Sequence, residues 1–123
     1  MYSTSTKHYA YTGTKGQAVE WHLKSKAVEW YLKAAEQGHA DAQVHLGSQY
    51  YFGEGVLQDY EKAMKWNLKA AEQGNTMAYS NISHLYREGK GVPKDEKKAR
   101  VWSLKALKQE YDRAALEQEY DSA

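Results

Sequence analysis

Histidines and carboxylates are the side chains of this 123-residue chain that could bind a metal ion or carry acid–base chemistry. Two histidines four residues apart on one helix would face the same ion. No pair has that spacing, and no grouping of histidine with carboxylate recurs; the histidines are His8, His22, His39, His45 and His84. Cysteine is absent, which excludes thiolate ligands and disulfides. We therefore predict neither a metal site nor a cofactor.

Catalysis would need carboxylates or a histidine shielded in a pocket. The acidic residues instead follow the pattern of helix surfaces and caps, often with a lysine four residues away, as Glu61 has Lys65. Two Gly-x-Gly turns, at residues 53–55 and 89–91, resemble phosphate-binding loops superficially. They follow predicted helices, whereas the nucleotide-binding loop follows a strand, so we interpret them as helix stops. The sequence predicts that the protein is not an enzyme.

The net charge of +1 favours neither nucleic acid nor an anionic membrane as a partner. The charge is unevenly spread, because a basic stretch over residues 90–108 precedes an acidic one over residues 110–121. No apolar run is long enough to span a membrane, and the first ten residues lack the apolar core of a signal peptide. As written, the chain is predicted to be cytoplasmic; a chain trimmed of its signal peptide would be periplasmic or secreted.

The helices that would position any site are predicted from a sequence pattern that repeats every 36 residues. Residues 62–74 have close copies 36 residues upstream and downstream, which places Trp30, Trp66 and Trp102 in one register. A fixed period of this length is typical of a solenoid, in which each unit buries its apolar face by stacking on its neighbours. We predict a polar tail at 1–15 and a repeat domain at 16–123, with a helix at 17–37, repeats at 39–74 and 75–110, and a capping helix at 112–121.

The first helix contains a nine-residue duplication, in which residues 18–24 recur as residues 27–33 with one change. Nine residues correspond to about half a turn out of phase, so Trp21 and Trp30 point to opposite sides of the helix. Since Trp30 is in the repeat register, we expect Trp21 to be the tryptophan without a core. The tail could cover it, a second chain could cover it, or it could be exposed.

Two motifs carry a family resemblance: Gly53-x-Gly55-Val56 and Lys69-Ala-Ala-Glu-Gln-Gly74. With the alanine, tyrosine and tryptophan positions between residues 42 and 74, the chain resembles the Sel1-like repeat, a relative of the tetratricopeptide repeat. The resemblance covers roughly residues 27–116. It implies an all-α, right-handed α/α superhelix of about two full repeats with half units at each end. It also implies a bacterial scaffold or adaptor whose concave face, lined by the first helix of each hairpin, binds other proteins.

A strip on the predicted concave face is the candidate binding site. With Ala42, Leu46 and Tyr50 facing inward, the far side of the first helix and its equivalents carries aromatic, apolar and basic residues of the kind found in protein interfaces. The strip consists of Val44, Ser48, Tyr51, Ser80, His84, Arg87, Leu116 and Tyr120. Alternatively, these residues pack against neighbouring helices.

We therefore predict a non-catalytic scaffold that binds a protein or peptide on this strip. An alternative is a structural module that forms a homodimer through the helix face of Trp21. A weaker alternative is a ligand-binding or hydrolase-like activity of the kind linked to secreted relatives.

Overall fold

The computed structural model describes residues 13–122, which form five helices and no strand. They are α1 (Lys15–Glu36), α2 (Ala40–Phe52), α3 (Tyr60–Glu72), α4 (Thr76–Glu88) and α5 (Glu96–Ser122). Each helix packs mainly against its neighbours along the chain, as expected of a solenoid. The predicted all-α repeat fold is confirmed. Residues 1–12 of the predicted tail lie outside the described residues.

Short polar side chains start four of these helices, and the first is Thr14, which caps α1 by accepting a hydrogen bond from the Gln17 amide at 3.2 Å. Asp59 caps α3 by accepting a hydrogen bond from the Lys62 amide at 3.0 Å, and Asp95 accepts one from the Lys98 amide at the start of α5 at the same distance. Asn75 caps α4 in the same way. Each bond satisfies an amide that has no partner inside its helix. The caps fix where α1, α3, α4 and α5 begin, whereas His39, which precedes α2, makes no side-chain cap bond.

The second glycine of each Gly-x-Gly turn packs directly on the preceding repeat. Gly53 and Gly89 end α2 and α4 in the left-handed conformation, which agrees with their predicted role as helix stops. Gly55 has a φ of 75° and lies so close to α1 that a Cβ there would overlap the carbonyl of Lys24. Gly91, 36 residues later, makes the same approach to α3. The turns therefore join successive repeats as well as ending helices.

Two apolar clusters fill the stack. The first, between α1 and α2, consists of Val28, Ala35, Ala42 and Leu46, with Trp66 of α3 packed against it. The second lies among α2, α3 and α4 and consists of Val44, Met64, Ala70, Ala71, Ala78, Ile82 and Leu85, with Trp102 packed against it. Because each tryptophan packs on the cluster formed partly by the preceding unit, these side chains join neighbouring repeats.

The predicted capping helix at 112–121 is wrong as a separate element, because α5 runs without a break from Glu96 to Ser122. Glu110 stands where Gly38 and Gly74 end the two earlier helices, so the chain has no residue there that favours a left-handed turn. Asp112, the predicted cap, lies inside the helix with its carboxylate 2.7 Å from the ammonium of Lys108. The chain therefore does not turn back to form a further half unit.

Candidate functional site

A cavity of about 260 Å³ opens between α2 and α4, the first helices of two successive hairpins. We call it the inter-repeat pocket. It is lined by Gly47, Ser48, Tyr51, Phe52, Asn67, Asn81, His84 and Leu85. The pocket exists because the 36-residue repeat places two first helices side by side.

Two asparagines provide amide groups in this lining. The Asn67 amide donates to the carbonyl oxygen of Ala63 at 2.8 Å, and the Asn81 amide donates to the side-chain oxygen of Asn67 at 3.0 Å. Asn67 is buried, and its bonds fix the amide plane. This polar part lies beside apolar walls formed by Leu85 and the rings of Tyr51 and Phe52.

Four polar side chains join the two repeats at one side of the pocket. The Tyr51 hydroxyl lies 3.2 Å from Nε2 of His84 and accepts a hydrogen bond from the Lys90 ammonium at 3.0 Å. Glu88 lies 3.0 Å from Lys90 and 3.3 Å from the His84 ring. The bond to Tyr51, followed by the bond to Glu88, raises the pKa of Lys90. The bond from Lys90 lowers the pKa of the Glu88 carboxyl, so both groups stay charged at neutral pH.

The structure brings three residues of the predicted strip together, since Ser48, Tyr51 and His84 all line the pocket. The expected exposure of Val44 is wrong: its side chain is 3% exposed and belongs to the second apolar cluster. Val44 packs in a cluster formed with residues of α3 and α4, so the face that a helical wheel leaves outward is covered at this position. For Val44, the alternative that the strip packs against neighbouring helices is correct.

The other strip residues lie away from the pocket. Ser80 is exposed on α4 but is not among the lining residues. Arg87 extends toward α5, where its guanidinium lies 3.4 Å from the Ser103 hydroxyl, and it also lies 3.3 Å from the Ser83 hydroxyl of its own helix. Leu116 and Tyr120 are exposed on the far half of α5, because that helix continues to Ser122 without turning back.

Sequence reasoning missed Gly47, Phe52, Asn67, Asn81 and Leu85 as lining residues. One signal was present in the sequence, because Asn67 follows Trp66 at a position that carries Tyr31 and Ser103 in the other copies. A polar amide between apolar core positions of a helix needs a specific partner when it is buried. That requirement could have directed attention to Asn67.

The expected burial of Trp30 in the repeat core is wrong, while Trp21 belongs to neither of the two apolar clusters. Trp30 is 74% exposed, whereas Trp21 is partly buried. The tryptophans equivalent to Trp30 pack on the cluster next to the preceding unit, and the described residues contain no unit before α1. Trp30 therefore shares an exposed apolar stripe on α1 with Val19 and Leu23. Self-association through Trp21 stays a prediction.

Within residues 13–122, no group of histidine or acidic side chains is placed to hold a metal ion. None of the five helices described above combines the length and apolarity required to cross a membrane.

A stack of helical hairpins with a 36-residue period and a pocket between repeats defines a helical-repeat protein. The model of the Sel1 repeat matches this chain three times, at residues 9–39, 40–75 and 76–111. The chain belongs to the Sel1 repeat family. The first match begins upstream of α1, in residues that the structure does not describe.

Solved structures of the same family resemble this fold. A protective antigen of uropathogenic Escherichia coli with an SLR fold is 42% identical, with a TM-score of 0.68 over 69% of this chain and 18% of its own. A Sel1 repeat protein of Oxalobacter formigenes is 41% identical, with a TM-score of 0.66 over 67% of this chain and 63% of its own. Cysteine rich protein B of Helicobacter pylori is 29% identical, with a TM-score of 0.65 over 69% of this chain and 64% of its own.

This chain thus spans less than two thirds of the length of each of these proteins. No curated protein sequence matches it closely enough to count as a relative. Sel1 repeat proteins are generally non-catalytic scaffolds for protein interactions.

Proposed function

We propose that this protein is a non-catalytic adaptor that binds a segment of another protein in the inter-repeat pocket. The observation that carries the proposal is a cavity of about 260 Å³ between two first helices, with aromatic and apolar walls beside fixed amides. Binding sites in proteins commonly combine such apolar walls with a few oriented polar groups.

The size of the pocket favours a side chain of a partner over a cofactor. Small-molecule sites usually enclose roughly 300–1,000 Å³, so this cavity lies just below that range. An apolar side chain of the partner, inserted into the pocket, would contact Phe52, Leu85 and the ring of Tyr51. Aromatic anchors in a pocket of this kind supply much of the binding energy in protein interfaces.

The polar groups suit a peptide backbone beside that anchor. The Asn81 side chain donates to Asn67 and retains a carbonyl oxygen that can accept a backbone amide. Glu88 and Lys90 form a charged rim on one side of the pocket, beside the ring of His84. A rim of polar residues around an apolar centre is the usual anatomy of a protein interface.

The proposal is tested by selecting peptides from a random phage library on the immobilised full chain and measuring the Kd of synthetic copies. Ser48→Phe places a ring in the pocket, and we expect it to raise the Kd by about tenfold or more. Ser80→Phe is the matched control, because Ser80 is exposed on α4 outside the pocket. It should leave the Kd unchanged.

NMR supplies an independent readout, since the side-chain amide signals of Asn67 and Asn81 should shift when peptide is added. Peptides that bind the wild-type chain and Ser48→Phe equally would show that the binding surface lies elsewhere.

A further inference from the structure

One face of α5 carries a stripe of mostly apolar residues that its own hairpin leaves exposed. We call it the α5 seam, and it consists of Leu104, Leu107, Tyr111, Ala114 and Gln118. The spacings alternate between three and four residues, the pattern by which one helix packs along another. Leu107 is 60% exposed and Tyr111 is 75% exposed. The seam therefore has the pattern of a helix interface.

The rest of the described chain packs on the opposite side of this helix. Ala99 and Ala106 are buried, and the Gln109 amide donates to the carbonyl of Gly74 at 2.7 Å. Beyond them, every residue from 110 to 121 is exposed. An isolated helical segment of about 12 residues is marginal in water, so this part of α5 would gain stability from a partner.

The residues of the seam differ from those on which the following repeat packs in the two earlier units. Leu107 stands where α1 and α3 have Ala35 and Ala71, which are buried next to the following unit. A leucine there would hold a following helix further away than alanine allows. α5 also continues through position 110, where a repeat would require the chain to turn.

The distribution of charged residues along α5 favours a second copy of the same helix as the partner. The first half of α5 is basic, with Lys97, Lys98, Arg100, Lys105 and Lys108. The second half is mainly acidic, with Glu110, Asp112, Glu117, Glu119 and Asp121. Two such helices side by side and parallel would place like charges together. In an antiparallel pair, the basic half of each helix lies beside the acidic half of the other.

We propose that two copies of this chain pair through the α5 seam in an antiparallel, isologous dimer. The spacing fixes a register centred near residue 109. Leu107 of one copy then lies opposite Tyr111 of the other, and Leu104 lies opposite Ala114. Further out, Lys97 reaches the level of Asp121. This interface does not use the inter-repeat pocket and is independent of its proposed function.

Sedimentation equilibrium of the full chain tests the pairing, over concentrations from roughly 1 to 500 µM that bracket a micromolar Kd. We expect a dimer of twice the 14.1 kDa chain mass. Leu107→Glu should weaken the dimer by at least about a hundredfold, since it places carboxylates in the seam. Leu116→Glu is the matched control, because Leu116 is equally exposed on the opposite side of α5 and should leave the dimer unchanged.

Introduced cysteines test the orientation, and the chain has no cysteine of its own to interfere. In the antiparallel register, Val101 of one copy lies next to Ala115 of the other. A mixture of Val101→Cys and Ala115→Cys chains should therefore form a mixed disulfide on mild oxidation, while neither variant forms a disulfide with itself. Disulfides formed by each variant alone would show a parallel pair and overturn the proposal.

Two other results would also overturn it. A monomer at every concentration would mean that the chain's own N-terminal segment or a different protein covers the seam. Dimers lost equally in Leu107→Glu and Leu116→Glu, with helix content unchanged by circular dichroism, would place the interface outside the seam.

Discussion

The side-chain amide of Asn67 occupies the space that a side chain on Gly47 would need. A Cβ at position 47 would lie 2.6 Å from the Asn67 nitrogen. The equivalent contact in the second hairpin uses different residues: Ser83 stands in the place of Gly47, and Ser103 stands in the place of Asn67. There the Ser83 hydroxyl lies 2.6 Å from the Ser103 hydroxyl. The first hairpin thus fills the space between the two facing positions with one large side chain, and the second fills it with two small ones.

This relationship predicts a strong coupling between positions 47 and 67. Gly47→Ser should lower the free energy of unfolding by about 1–2 kcal/mol, because the buried Asn67 side chain must move and lose its hydrogen bonds. Asn67→Ser should cost about 1 kcal/mol by itself. The double variant recreates the serine pair of the second hairpin, so it should be more stable than either single variant. Urea unfolding of the four proteins measures this cycle, and simple additivity would contradict the prediction.

The contact between Gly91 and the preceding repeat predicts an unusually costly alanine substitution. Gly91 has a φ of 75°, and a Cβ there would overlap the carbonyl oxygen of Tyr60. Gly38 is the matched control, since it has a φ of 94° but no atom within 4 Å of the position that a methyl group would take. Gly38→Ala should cost about 1–2 kcal/mol through backbone strain. Gly91→Ala should cost about 3 kcal/mol or more because overlap adds to strain, and equal losses in urea unfolding would contradict this account.

Trp66 and Trp30 occupy equivalent positions in the repeat but differ in what they contact. Trp66 packs on the first apolar cluster, whereas Trp30 is exposed. Trp66→Ala should lower the free energy of unfolding by about 3 kcal/mol, the lower end of the range for large aromatic residues because the ring is partly exposed. Trp30→Ala should change it by less than about 0.5 kcal/mol. Thermal and urea unfolding measure both, and similar losses would contradict the assignment of Trp66 to a shared core.

The repeat register predicted most of the fold because it rests on local signals that recur. Asp59 and the glycines of the turns act through bonds and dihedral angles within a few residues, so their effect is visible in the sequence. The continuous α5 shows the limit of that reasoning. Asp112 was a plausible cap, but without a glycine at position 110 nothing interrupted the helix before it.

The candidate site was less predictable because it depends on contacts between repeats. Tyr51 and His84 are 33 residues apart and were identified by their shared face, and the structure places both side chains in the lining of the pocket, 3.2 Å apart. Val44 lies on the same side of the wheel, yet it is buried in a cluster formed with residues of α3 and α4. A helical wheel describes one helix, whereas burial here depends on two neighbours. Asn67 was missed for the same reason, since its role requires knowing that Gly47 leaves space beside it.

The pair formed by Glu88 and Lys90 predicts how the rim of the inter-repeat pocket responds to acid. The bond from Lys90 lowers the pKa of the Glu88 carboxyl below its ordinary value of 4.5. A group whose pKa is lower in the folded state stabilises that state above its unfolded pKa, and this contribution disappears as the pH falls through the folded pKa. The rim should therefore stay intact from neutral pH down to about pH 4.5 and lose this contact in stronger acid.

Carboxyl carbon NMR across a pH titration measures the Glu88 pKa directly. Lys90→Met removes the ammonium while keeping much of the chain length, so the Glu88 midpoint should rise toward that of an ordinary glutamate. Lys94→Met is the matched control, because Lys94 lies in the same loop and makes no ion pair with Glu88 among the described contacts. A Glu88 midpoint that is the same in the wild-type chain and Lys90→Met would show that Lys90 does not hold the carboxylate, and the charged rim would then play no part in shaping the pocket.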